Sequence, residues 1–152
     1  MEKLIFDDGL LRLDVNGNGL LIFNPSDLNL YHRFTELPQK MMELETNYKK
    51  LATVISADAS EQNVVTSALG QLRQIDIDVK KELARVFGEQ NDFDALFAGI
   101  NLMSVAKNGE RIITNFLNAI TPYIENGVSK YAKDSAAVAV AQAKAARAKR
   151  QK

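Results

Sequence analysis

The chain has 152 residues, enough for one domain with a real core, and it carries no cysteine, which excludes disulfides and thiolate metal sites. Hydrophobic residues make up 46% and charged residues 25%, the balance of a globular chain, and no apolar run reaches the roughly 18 residues that span a membrane. Net charge is zero but uneven: 133–152 holds six basic residues against one acid, so it carries +5 and the remainder −5.

The opening, MEKLIFDDG, lacks the apolar stretch of a signal peptide, and the absence of Cys suits a reducing compartment. Three short apolar runs follow one another, KLIF, LLRLDV and GLLIFN, separated by DDG and NGNG. They predict a small antiparallel hairpin or meander within 1–24. The second separator lies in DVNGNG, Asp14–Gly19, which also resembles the start of a calcium loop, with oxygen ligands at positions 1, 3 and 5 and Gly at 6. Position 12, where such a loop needs a bidentate Glu, is Pro25. The reading is therefore strand, turn, strand, because Asn-Gly tolerates positive φ at both turn positions.

Asn24-Pro25-Ser26-Asp27 punctuates the chain, with Ser26 expected as a helix N-cap and Asp27 near the positive helix end. Leu30, Phe34, Leu37, Met41, Leu44, Tyr48, Leu51 and Ile55 then recur at spacings 4, 3, 4, 3, 4, 3, 4. This is the stripe of a long amphipathic helix, in which Pro38 predicts a kink or restart. SADAS, 56–60, is expected to break it and cap a second helix over 60–87, striped by Val65, Leu69, Leu72, Val79, Leu83 and Val86. Two such helices with a short connection should pack antiparallel. An extended intermolecular coiled coil is the alternative, but Phe34, Met41 and Tyr48 suit a tight two-stranded seam poorly.

Gly88 should end the second helix. Asn91 or Asp92 is expected to cap a third, carrying Phe93, Leu96, Phe97 and Ile100 and ending near Asn108-Gly109. A fourth should begin at Glu110 or Arg111, striped by Ile113, Phe116, Leu117, Ile120, Ile124, Val128 and Tyr131, and interrupted at Pro122 with Thr121 as a new cap. After Tyr131 the chain turns to Ala, Lys, Arg and Gln, which favour helix yet offer nothing large to bury. The expected fold is mainly α with a small N-terminal β-hairpin. A single domain over 1–132, helical from 26, forms an antiparallel bundle, and 133–152 is a basic extension, helical or disordered.

No constellation supports catalysis, metal binding or a cofactor. His32 is the only histidine, Asp76 and Asp78 diverge on a helix, and Asp92 and Asp94 suit a helix first turn. Gly17 and Gly19 precede a strand and not the helix a phosphate loop requires. The basic extension suits either phosphates or an acidic protein surface, this chain's own body included. It has no aromatic to stack on a base and the body is acidic, which weighs against nucleic acid.

FDDGLLRLDVNGNGLLIFNPSDLNLYHRF, the junction ARVFGEQNDFDALFAGINLMSVAKNGE, then NFLNAITPYIE and an Ala/Lys/Arg tail together resemble the small tail assembly chaperones of long-tailed phages and prophages of Gram-positive bacteria. The likeness covers most of the chain in segment order. It departs at QNDFD, where the family often has a Gly-Thr-Ser type cap. The resemblance implies a protein of the host cytoplasm that is not an enzyme and is absent from the mature virion. It would coat the helical tape-measure protein and keep it soluble until the tail tube polymerises, and such families often add a longer product by frameshifting. Self-association is expected, since stripes of Phe, Met and Leu can serve both client and partner copy. Candidate partner-binding residues are Phe34, Met41, Tyr48, Phe93 and Phe97, with Lys144, Arg147, Lys149 and Arg150 in the extension. A structural tail-completion or scaffolding protein is the alternative, and a basic-tailed nucleic-acid-binding regulator a more distant one.

Overall fold

The computed structural model describes residues 1–57 and 62–150. The chain is mostly helical, with a two-stranded antiparallel sheet before the helices. The strands are β1 (Leu11–Asp14) and β2 (Leu20–Phe23), in the register Leu11 to Phe23 and Asp14 to Leu20. DVNGNG is their turn: Asn16 and Gly17 both have positive φ, at 52° and 77°, the requirement of a type I′ hairpin. The Asp14 carboxylate accepts from Gly17 N at 2.8 Å, so its oxygen closes the turn.

KLIF adds no third strand. Leu4, Ile5 and Phe6 are exposed, and the carboxylates of Asp7 and Asp8 accept from Gly9 N and Leu10 N in successive local turns. Gly9 takes φ 72° and turns the arm away from β1. On the opposite edge, a side chain takes the place of a strand. Asn91 Oδ1 accepts from Ile22 N, and Asn91 Nδ2 donates to Ile22 O, both at 2.9 Å. The amide thereby satisfies β2 as a neighbouring backbone would.

Helix α1 (Leu28–Ala57) is capped by Asp27 and not by Ser26, because Asp27 Oδ1 accepts from Asn29 N at 2.9 Å. It runs unbroken through Pro38, so no restart occurs there, although the ring removes one ladder donor. Helix α2 (Gln62–Phe87) returns alongside. Arg33, near the start of α1, donates to Val86 O at the end of α2, while Leu51 and Val54 line one hollow with Val64 and Ala68. This is the antiparallel hairpin. The break expected in SADAS lies largely at 58–61, outside the described residues. On α2, Val79, Leu83 and Val86 are fully buried, but Ala68 faces inward and Leu69 is 53% exposed. The stripe has slipped by one position at the far end of the hairpin.

The third helix is much shorter than the pattern suggests. α3 (Phe93–Leu96) is capped by Asp92, whose carboxylate accepts from Ala95 N at 3.1 Å. It ends at Ala98, φ 53°, with Gly99 N bonded to Asp94 O and Ala98 N to Ala95 O, the paired bonds of a Schellman stop. The chain then loops through the fully buried Leu102, and Val105 bridges Arg111, so residues up to Gly109 are not helical.

Helix α4 (Ile112–Arg150) also passes Pro122 without a break, and the Thr121 hydroxyl donates to Leu117 O instead of capping a new start. Where α4 leaves the body, Gly127 packs directly on the Pro25 carbonyl, and a Cβ built there collides with it. Helix propensity alone makes Gly127→Ala stabilising by about 1 kcal/mol. A backbone oxygen cannot step aside as a side-chain tip can, so the clash prevails. Gly127→Ala is expected to lose about 2 kcal/mol net in urea unfolding, and any gain in stability would refute the contact.

The core joins α1, α2, the hairpin and the first half of α4 around aromatic rings. Phe87 stands at its centre, with ring centroids of Phe23, Phe93, Phe116 and Phe34 at 5.3, 5.9, 6.0 and 6.4 Å.

Candidate functional site: a groove beside the hairpin

The residues proposed from the sequence fall into three places. Phe34, Phe93 and Phe97 belong to the ring cluster, where Phe93 and Phe97 are buried and Phe34 is half-buried against Phe87. Both buried rings hold the body together, and of the two only Phe97 also lines the groove beside the hairpin. Met41 and Tyr48 lie half-buried on α1, and Tyr48 is covered by the Arg111 guanidinium, 4.7 Å from the ring centroid. Arg111 in turn bonds Glu45 at 2.9 Å, closing the loop onto α1. Lys144, Arg147, Lys149 and Arg150 stand apart on the exposed end of α4.

A concavity of about 510 Å³ lies elsewhere, between the hairpin and α4. Leu13, Val15 and Leu21 form one wall and Ile112, Phe116 and Ile120 the other, with Phe97 between them. Ile100 and Tyr123 flank the opening and are about half exposed, at 49% and 45%. Asp14, Asn16, Asn18 and Asn115 supply the polar rim. Three of these are already engaged: Asp14 accepts from Gly17 N at 2.8 Å, Asn18 Nδ2 donates to Leu96 O at 3.1 Å, and Asn115 exchanges amide bonds with Asn108. The rim is thus a fixed frame round an apolar trough.

Helical periodicity marks Phe97, Phe116 and Ile120 but does not assemble this groove, because the rest of its lining comes from the hairpin, the loop after α3 and the other residues of the first turns of α4. Its one local signal is Tyr123, an aromatic left over after the helical stripes are assigned, whereas Ile100 is counted with the third helix.

The strongest electrostatic feature is internal. Lys80, only 8% exposed, donates to Asp76 Oδ2 and Asp94 Oδ1, each at 2.7 Å, and to Ile100 O at 3.0 Å. Burial by itself lowers the ammonium's pKa, but the two carboxylates outweigh it and hold the group above the ordinary lysine value. Asp76 Oδ1 meanwhile accepts from Leu102 N at 2.8 Å. All three ammonium donors are satisfied, and the cluster ties α2 to the loop that carries Ile100. It therefore positions the groove.

Among the described residues, no group of three or more His, Asp or Glu side chains is arranged to hold a metal ion, and no helix is long and apolar enough to cross a membrane. The chain matches no protein-family model, no curated protein and no solved structure.

Proposed function

We propose that this protein is a phage tail assembly chaperone that holds the helical tape-measure protein in solution while the tail is built. The observation that carries this reading is the apolar trough beside the hairpin, open to solvent at Ile100 and Tyr123. An amphipathic helix docks by laying two or three apolar side chains, spaced three or four residues apart, into such a groove. The resemblance in segment order supplies the client. The polar rim would orient the helix, with the exposed Asp14 as the only carboxylate in the lining. On this reading the protein acts in the host cytoplasm, needs no cofactor and leaves before the virion matures.

Co-expression with the tape-measure protein tests it. The expected result is a soluble complex, lost on Ile100→Glu with Tyr123→Glu while the thermal midpoint of the free protein stays within about 3 °C, because both residues are already half exposed. Absence of both a complex and any gain in client solubility refutes the reading. The exposed reach of α4 favours a second one, a structural tail-completion or scaffolding component anchored by that helix. Its presence in purified mature particles would establish the structural role in place of the chaperone.

A further inference from the structure

Charge is segregated in this molecule more sharply than its zero total suggests. Segment 1–27 carries five acids against two bases, and segment 76–94 carries six against three. Each is net −3, while the rest of the body, 28–75 and 95–132, is close to neutral. The fold unites the two acidic segments, since Asn91 bonds both ways to Ile22 and Asn18 bonds to Leu96 O. The hairpin itself is neutral, Arg12 against Asp14, so the acidic cap consists of the α2–α3 corner together with Asp27 and the arm that carries Glu2, Asp7 and Asp8, held to Asn24 through the Asp8 carbonyl.

The opposite charge lies on α4, whose residues 131–150 are all exposed. Helix α4 has its last buried contact near Gly127, against Pro25, and continues unbroken to Arg150. At 1.5 Å per residue that is a rod of roughly 35 Å beyond the body. Because it is one continuous helix, it cannot fold back onto its own cap. Lys133, Lys144 and Arg147 fall within about 60° of arc on it, since eleven residues are close to three full turns.

We infer that the basic rod of one copy docks on the acidic cap of a second copy of this chain, so that the protein self-associates through α4. This does not depend on the chaperone reading, and the acids it invokes, Glu2, Asp7 and Glu89, lie outside the lining of the groove. Several exposed charge pairs would make the contact, which predicts strong dependence on salt: screening length falls from about 10 Å at 0.1 M to about 3 Å at 1 M. A rod-to-cap contact uses different patches on the two copies, so it propagates unless two copies embrace reciprocally.

Sedimentation velocity on the full chain, treated with nuclease, is the test. Assembly is expected at about 0.05 M salt and its loss at about 0.5 M. Lys144→Glu with Arg147→Glu, Lys149→Glu and Arg150→Glu should weaken association on the order of a hundredfold. Mixing that variant with a cap variant, Glu2→Lys, Asp7→Lys and Glu89→Lys, should restore a complex that neither forms alone. All three cap positions are exposed. A monomer at low salt, an oligomer indifferent to salt or to the rod charges, or an oligomer removed by nuclease would each overturn the inference. The last outcome would assign the rod to nucleic acid.

Discussion

Replacing Phe87 with alanine is expected to cost about 4 kcal/mol, a large part of the roughly 5–15 kcal/mol that holds a domain of this size together. Phe87 is 2% exposed, and four other rings pack round it, from the hairpin, α1, α3 and α4. Removing it leaves a cavity that cannot close, because its walls belong to separate elements that would have to move together. Edge-to-face contacts, such as that with Phe23 at 5.3 Å and 75°, add about 0.5–1.5 kcal/mol each beyond the area they bury. With a urea slope of about 2 kcal/mol per molar, the unfolding midpoint should fall by about 2 M. Phe87→Leu keeps most of the volume and should lose about 1.5 kcal/mol. Phe116→Ala, from a half-buried ring in the same cluster, should cost less than Phe87→Ala. If Phe87→Ala loses no more than Phe87→Leu, the cluster has no centre and the packing account is wrong.

The elements legible in the sequence are those whose signal is local. Asn16-Gly17 announces its turn through two positive φ angles, and Leu30, Leu37 and Leu44 announce one buried face of α1 by spacing alone. Asp92 is recognisable as a cap for the same reason. What escapes a sequence reading depends on partners far along the chain. The stop after α3 falls at Ala98, which gives no warning of a left-handed conformation, and the apolar run from Phe93 to Ile100 reads as continuing helix. KLIF has strand composition but stays unpaired, because Asn91 occupies the free edge of β2 and local turns at Asp7 and Asp8, with Gly9 at φ 72°, separate the arm from β1. Pro38 and Pro122 look like breaks, yet packing on both sides of each holds the helix together. The basic extension illustrates the limit in the other direction, since composition shows its charge but not that it stands as a rod away from the cap.

Lys80 is the least legible residue of all, because a lysine midway along an amphipathic helix ordinarily faces water, and the second large effect is expected there. Lys80→Met removes the partner of Asp76, which is 8% exposed, and should cost about 3 kcal/mol, near the lower end of what breaking a buried pair costs. The bond to Asp94 adds little, since that carboxylate is 69% exposed and screened by water. The thermal midpoint should fall by roughly 6–12 °C. Asp76→Asn in the same chain should recover about half of this, because the amide oxygen can still accept from Leu102 N and no unpaired charge is left. The pH dependence has a definite sign. The folded ammonium holds its proton to higher pH than an unfolded lysine, so its contribution is complete below about pH 10.5 and disappears as pH rises through the folded value. The gap between wild type and Lys80→Met should therefore be constant from about pH 6 to 9 and narrow above about 10.5. A gap that widens there, or Asp76→Asn that deepens the loss, would show that the ammonium is not what ties α2 to the Ile100 loop. If the tie is real, Lys80→Met should also disturb the groove mouth, and if the proposed function holds, capture of a tape-measure helix should weaken more than the fall in folded fraction accounts for.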